Sequence, residues 1–170
     1  MWQEMLSDTT VDTTGARSIR MKTTGHEKVR ISVCLTAKAD GTKLKPMIVF
    51  EKREVKKLSE EFKGRCVVAS SSNAWMNDEL TKCWVQCVLG KLAFTRRLLA
   101  WDAFHCHITD STKEELRLSK VDPVIIPGGC TKYIQAPDVS WNKPFKQNIT
   151  EKYDEWMAKG IHEYTANAVI

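Results

Sequence analysis

The sequence predicts an α/β domain, a mixed sheet flanked by helices, and two observations carry that prediction. The first third reads as an antiparallel hairpin, with apolar residues at every second position of one arm and an Asp-Gly turn between the arms. The later part reads as strand, helix and strand, for which parallel pairing through a right-handed crossover is the default.

Ser18 to Thr24 is a short strand candidate. From Lys28 to Lys38, Val29, Ile31, Val33 and Leu35 alternate with polar residues, as a half-buried strand requires. Ala39-Asp40-Gly41-Thr42 supplies the turn, and Pro46 to Phe50 is the returning strand. Glu51 to Gly64 is a charged, partly helical connection, and Val67-Val68-Ala69 is a further strand candidate. Asn77 is placed to cap a helix, with Asp78 and Glu79 in its first turn. Leu80, Trp84, Cys87, Val88 and Leu92 then share one helical face.

Leu98-Leu99-Ala100-Trp101 and Val124-Ile125-Ile126 are continuous apolar runs, read as strands buried on both faces. Between them, Ser111 with Glu114 forms a capping-box pattern for a helix from Thr112 to Ser119. Phe145, Ile149, Tyr153, Trp156 and Met157 mark a last amphipathic helix, with Pro144 near its start. The expected extent of the domain is 1–157, with 158–170 as a tail.

Composition narrows the class. Apolar residues at 42% and charged residues at 28% describe a globular chain, and 170 residues suffice for one core. No apolar run approaches the roughly 20 residues needed to cross a bilayer. The first residues lack the basic start and long apolar stretch of a secretory signal, which points to an intracellular location. Six cysteines in such a chain are expected to be reduced and mostly buried. The net charge of +5 is unevenly placed: residues 17–65 hold 14 Lys/Arg against 6 Asp/Glu, a balance of +8, leaving −3 for the rest. A basic half suits a polyanion partner, and equally a solvated lysine-rich surface.

Two carboxylates stand out by position. Asp102 closes the first buried run, where the ends of parallel strands converge on a ligand crevice. Asp138 lies between the second run and the last helix, so both can reach the same edge of a sheet. Hard divalent cations take oxygen ligands, and phosphoryl transfer is served by two such ions about 4 Å apart. Position alone also fits the ordinary reading, an aspartate that caps or turns the chain.

Blocks of sequence give this layout a family. Thr23-Thr24-Gly25-His26-Glu27-Lys28, Ala39-Asp40-Gly41-Thr42-Lys43-Leu44-Lys45-Pro46 and Leu98-Leu99-Ala100-Trp101-Asp102 come in order. Ile126-Pro127-Gly128-Gly129-Cys130-Thr131, Gln135-Ala136-Pro137-Asp138-Val139 and Asn142-Lys143-Pro144-Phe145-Lys146 follow. Together, from about Trp2 to Met157, they resemble the pogo/Tigger DDE endonuclease domain of transposases, a family whose domesticated members include centromere protein B and jerky-type proteins. The resemblance implies a ribonuclease H-like fold, Mg²⁺-dependent cleavage and transfer of DNA strands, and work in the nucleus. It makes Asp102 the second and Asp138 the third catalytic, metal-binding aspartate, 36 residues apart. The family's first aspartate, in an Asp-Glu-Thr segment on the first strand, has no counterpart: Glu4, Asp8 and Asp12 do not match that motif. The expectation is therefore a DNA-binding domain that lacks its first strand and is inactive as it stands. The alternatives are a piece of an active transposase and a domesticated protein-interaction module.

Lys132 and Lys143, which flank Asp138, and the pair Arg96-Arg97 are candidate contacts to a DNA backbone, or else plain surface and loop residues. Cys83 and Cys87 with His105-Cys106-His107 raise a zinc site, but the spacing matches no common finger, and core packing is the expected role of the cysteines. His105 and His107, just after Asp102, are candidates to face the active-site cleft, and the expected reading is that they are simply solvated beside the acidic site. Trp75, Trp84 and Trp156 are expected in the core, with Trp2 and Trp141 left open.

Overall fold

The computed structural model describes residues 30–51, 55–90 and 95–159. Backbone contacts divide the chain into two compact units, one holding Arg30–Trp141 and the other taking in the helix that begins at Asn142. The strand candidate at 18–24, Val29, Leu92 and Trp2 lie outside the described residues.

The hairpin forms as its alternation requires. Strand β1 (Ile31–Cys34) pairs antiparallel with β2 (Met47–Glu51), in the register Ile31 to Phe50 and Cys34 to Met47. At the turn, Lys38 donates its backbone N–H to the Thr42 carbonyl at 2.9 Å, and the Asp40 carboxylate accepts from the Thr42 N–H at 2.8 Å. Gly41 takes φ +85°, a left-handed value that its missing Cβ makes cheap. A short helix α1 (Lys56–Glu61) then returns the chain to β3 (Val67–Ser71), which lies parallel to β2. The sheet order is β1-β2-β3, so β2 is central, and its Met47 and Val49 are fully buried.

Helix α2 (Asp78–Trp84) starts where Asn77 predicts: the Asn77 side chain accepts the Leu80 N–H at 2.8 Å. It passes directly into a π-helical turn over Val85–Gly90. The wider turn adds about one residue per turn and rotates the faces out of 3.6-residue phase. Trp84 and Val85 are buried and Val88 packs against the core, while Cys87, expected on the same face, is exposed.

β4 (Arg97–Asp102) and β5 (Val121–Ile126) pair in parallel as a second, two-stranded sheet, joined by α3 (Asp110–Leu118). The expectation that both runs are buried on both faces is not met. Leu99, Trp101 and Val121 pack into the core, whereas Leu98 is 72% and Val124 45% exposed. In β4 the apolar run hides an ordinary inside-outside alternation, whereas β5 is buried only at its two ends, Val121 and Ile126.

The capping box is also displaced. Thr109 caps α3, its Oγ1 accepting the Thr112 N–H at 3.4 Å, while the Ser111 hydroxyl donates to Asp78 at 3.0 Å and Glu114 pairs with Arg117. A short helix α4 (Thr131–Ile134) and a π-helical turn (Pro137–Trp141) complete this unit. One apolar cluster joins its two sheets: Met47, Val49, Trp84, Val85, Trp101, Leu116 and Val121. Each large side chain removed from water there contributes about 1.5–3 kcal/mol.

Helix α5 (Asn142–Ala158) forms over the predicted amphipathic stretch, but none of its residues is buried. Trp156 is exposed, and so is Trp75, which lies under the Arg30 guanidinium at 5.2 Å instead of entering the core; Trp84 is buried as expected. All six cysteines are free thiols, but of these only Cys106 is fully buried.

Candidate active site

Asp102 is the last residue of β4, and its position follows from the strand that carries it. Trp101, one residue earlier, points into the core and stacks on Trp84 with ring centroids 5.8 Å apart. Period-two alternation then turns Asp102 to the opposite face at the strand's C-terminal end. Its side chain is 37% exposed.

The chain turns sharply after Asp102, and the turn feeds back on the carboxylate. Oδ1 accepts the Phe104 backbone N–H at 3.2 Å, and His107 Nδ1 lies 2.8 Å from the same oxygen. Among the described residues Oδ2 accepts no hydrogen bond. The expectation that His107 is solvated fails here. Its side chain is only 19% exposed, and its ring lies flat on Trp101 at 4.0 Å with an interplanar angle of 3°. His105, by contrast, is exposed. It lines an open cleft of about 560 Å³ with Phe104, Asp78 and Glu79.

Asp138 lies in the π-helical turn of the same unit, exposed, its backbone N–H donated to the Gln135 carbonyl at 3.0 Å. The kind of donor suits a divalent cation, since a hard ion takes carboxylate oxygens and Asp102 keeps one outside its hydrogen bonds. The number does not suffice: among the described residues, no group of three or more His, Cys, Asp or Glu side chains converges. Cys83 and Cys87 face each other across one turn at 3.9 Å.

The basic candidates divide into three kinds. Arg97 points inward and donates to the backbone carbonyls of Leu89, Gly90 and Ser119, the last two at 3.0 and 3.3 Å, so it braces the start of β4. Arg96 is exposed and forms a two-pronged pair with Asp122, its Nε at 2.9 Å; this guanidinium holds the Asp122 carboxyl below the usual carboxylate range. Lys132 and Lys143 are exposed, and the Lys132 ammonium lies 4.7 Å from the centre of the Tyr133 ring.

The family model of the DDE superfamily endonucleases matches residues 28–168, a span that includes both aspartates. The chain belongs to this family. Two relatives carry the name "Pogo transposable element with KRAB domain": the Mus musculus protein is 34% identical and the Homo sapiens protein 32% identical, each over 161 residues that cover 92% of this chain and 26% of the relative. "Pogo transposable element with ZNF domain" of Homo sapiens is 25% identical over 138 residues, 79% of this chain and 10% of that protein. The DDE domain described here is thus pogo-like and transposase-derived, and it spans about a quarter or less of the length of these relatives. No solved structure matches it. Among the described residues no helix is long and apolar enough to cross a membrane.

Residue-by-residue reading placed His107 beside the acidic site but did not foresee its contact with Asp102. Its signal was a spacing: five residues and one 3₁₀ turn (His105–His107) bring the ring back under the end of its own strand.

Proposed function

We propose that this DDE domain is a DNA-binding, ribonuclease H-like module that acts in the nucleus, with Asp102 and Asp138 as the remaining acidic ligands of a Mg²⁺ site. The observation that carries the reading is Asp102 itself: a carboxylate at the C-terminal end of a parallel strand, with one oxygen held and the other open, in a chain that belongs to an endonuclease family. The parallel pairing of β4 and β5 through α3 and the antiparallel β1–β2 hairpin support the ribonuclease H-like architecture.

When bound, Mg²⁺ supplies charge to stabilise a developing phosphate oxyanion and to activate the attacking oxygen. In this proposal Asp102 and Asp138 would hold it, Lys132 and Arg96, exposed on the unit of residues 30–141, touch the DNA backbone, and Lys143, exposed on the other unit, makes a separate backbone contact. Arg97 serves the same interface indirectly, by bracing the loop that presents Arg96. Two carboxylates alone are too few for a strand-cleaving centre, so the expected activity of these 170 residues is binding rather than cleavage.

The test is anisotropy of a labelled DNA duplex across a salt series. Contacts to several phosphates make the logarithm of affinity fall linearly with the logarithm of salt concentration, at a slope near 0.9 per phosphate neutralised. Replacing Lys132 and Lys143 by Ala should weaken binding and shallow that slope by about one to two. No binding at about 50 mM salt, or binding indifferent to salt, would overturn the reading. A protein-contact module would then stand instead; the exposed Leu98, Val124, Tyr133 and Ile134 favour that second reading.

A further inference from the structure

We infer that His107 is a positioning residue for Asp102, clamping one carboxylate oxygen so that the other is presented to a cation. The inference rests on the proposed reading of Asp102 as a metal ligand, but the clamp itself is a matter of geometry.

Asp102 is more than a third exposed at a strand end, where a free carboxylate would sample several rotamers. His107 Nδ1 lies 2.8 Å from Asp102 Oδ1 and 3.1 Å from the Asp102 backbone carbonyl. Both partners are acceptors, so the proton sits on Nδ1 and is shared between the backbone and the side chain of one residue. That bifurcation fixes the carboxylate relative to its own main chain. The Phe104 N–H, on the same Oδ1, closes the arrangement from the other side.

The ring is itself held. It stacks on Trp101 and meets Phe104 edge-on, centroids 5.6 Å apart at 71°. Trp101 is anchored by Trp84. The turn that carries His107 is pinned by the buried Thr112 hydroxyl, which donates to the Cys106 carbonyl at 2.8 Å. Each restraint on the histidine becomes a restraint on Asp102. Partners that orient metal ligands in this way are typically worth about 10–100-fold in metal affinity.

The test uses the full chain, isotope-labelled for nuclear magnetic resonance, with Mn²⁺ as the probe. Three-bond couplings should report one χ1 rotamer for Asp102, and nitrogen shifts should report the Nδ1–H tautomer of His107. His107→Phe keeps an aromatic ring against Trp101 but removes the donor. It should average the Asp102 couplings and weaken Mn²⁺ binding about 10–100-fold, with the melting temperature little changed. His107→Asn, which restores an N–H, should recover part of both.

Unchanged Asp102 couplings in His107→Phe would overturn the clamp, as would an Nε2–H tautomer in the unaltered chain, a measurement that requires no variant to fold. Mn²⁺ binding indifferent to Asp102→Asn would instead remove the metal reading of Asp102, leaving the couplings to decide the clamp.

Discussion

The β1–β2–β3 sheet and the β4–β5 pair are built from similar residues, yet they bury them differently. In the first, Met47 and Val49 of the central strand are completely buried, and the alternation read in the β1 arm with its Asp-Gly turn marked the hairpin correctly. In the second, Leu98 and Val124 stand exposed although their strands are nearly all apolar. Alternation tells which residues share a face, whereas a uniform apolar run does not tell how many faces are covered.

Mutation breaks or sharpens this contrast most directly. Met47→Ala removes a fully buried side chain and should cost about 2–5 kcal/mol, read from the urea midpoint at unchanged slope. Leu98→Ala, in the exposed face of β4, should stay within about 0.5 kcal/mol. Equal losses at the two positions would mean that the outer face of β4 is covered in solution.

The helices before and between these strands carry the next largest effect. Asn77 caps α2 with a 2.8 Å bond, and Thr109 caps α3 with a longer one of 3.4 Å. Asn77→Ala should therefore cost about 1 kcal/mol and Thr109→Ala somewhat less, within the usual cap range of about 0.5–2 kcal/mol. Ser111→Ala removes its bond to Asp78 and a long hydroxyl contact with Thr109, but no bond to the helix backbone, and should cost less than either. If Ser111→Ala proves the costlier of the two α3 variants, the helix starts at the Ser111–Glu114 box after all.

What could be read from residues alone follows from the range of the interaction that decides it. The Asp-Gly turn, the Asn77 cap and the amphipathic stretch of α5 are set within a few residues, and all three form. The π-helical turn after Trp84 and the parallel seat of β3 beside β2 depend on contacts far along the chain, and neither was legible. At the candidate site, Asp102 was visible as a strand-ending acid. Its partner was hidden because the 3₁₀ turn, and not the sequence pattern, returns His107 to it. Thr109 was missed for a related reason, since Ser111 and Thr109 are both competent caps and only the path of the chain chooses.

The smallest expected effect compares a thiol of the first sheet with one on the π-helical turn. Cys34, at the end of β1, has its thiol pushed from an ordinary 9.0 up to about 11 by burial and, less, by the nearby Cys106. A raised folded-state value means that the neutral thiol is favoured by folding. The contribution to stability is complete below about pH 9 and is lost as pH rises towards 11. The stability advantage of the chain over Cys34→Ala should thus shrink as pH rises over that interval. Cys87, on the π-helical turn, is exposed to reagent. Iodoacetamide at pH 8 should modify Cys87 well before Cys34, because the thiolate is the reactive form and burial withholds it. Equal rates at the two positions would show that the end of β1 opens to solvent as readily as the turn does. In that case the end of the first sheet would be no better closed than that exposed turn.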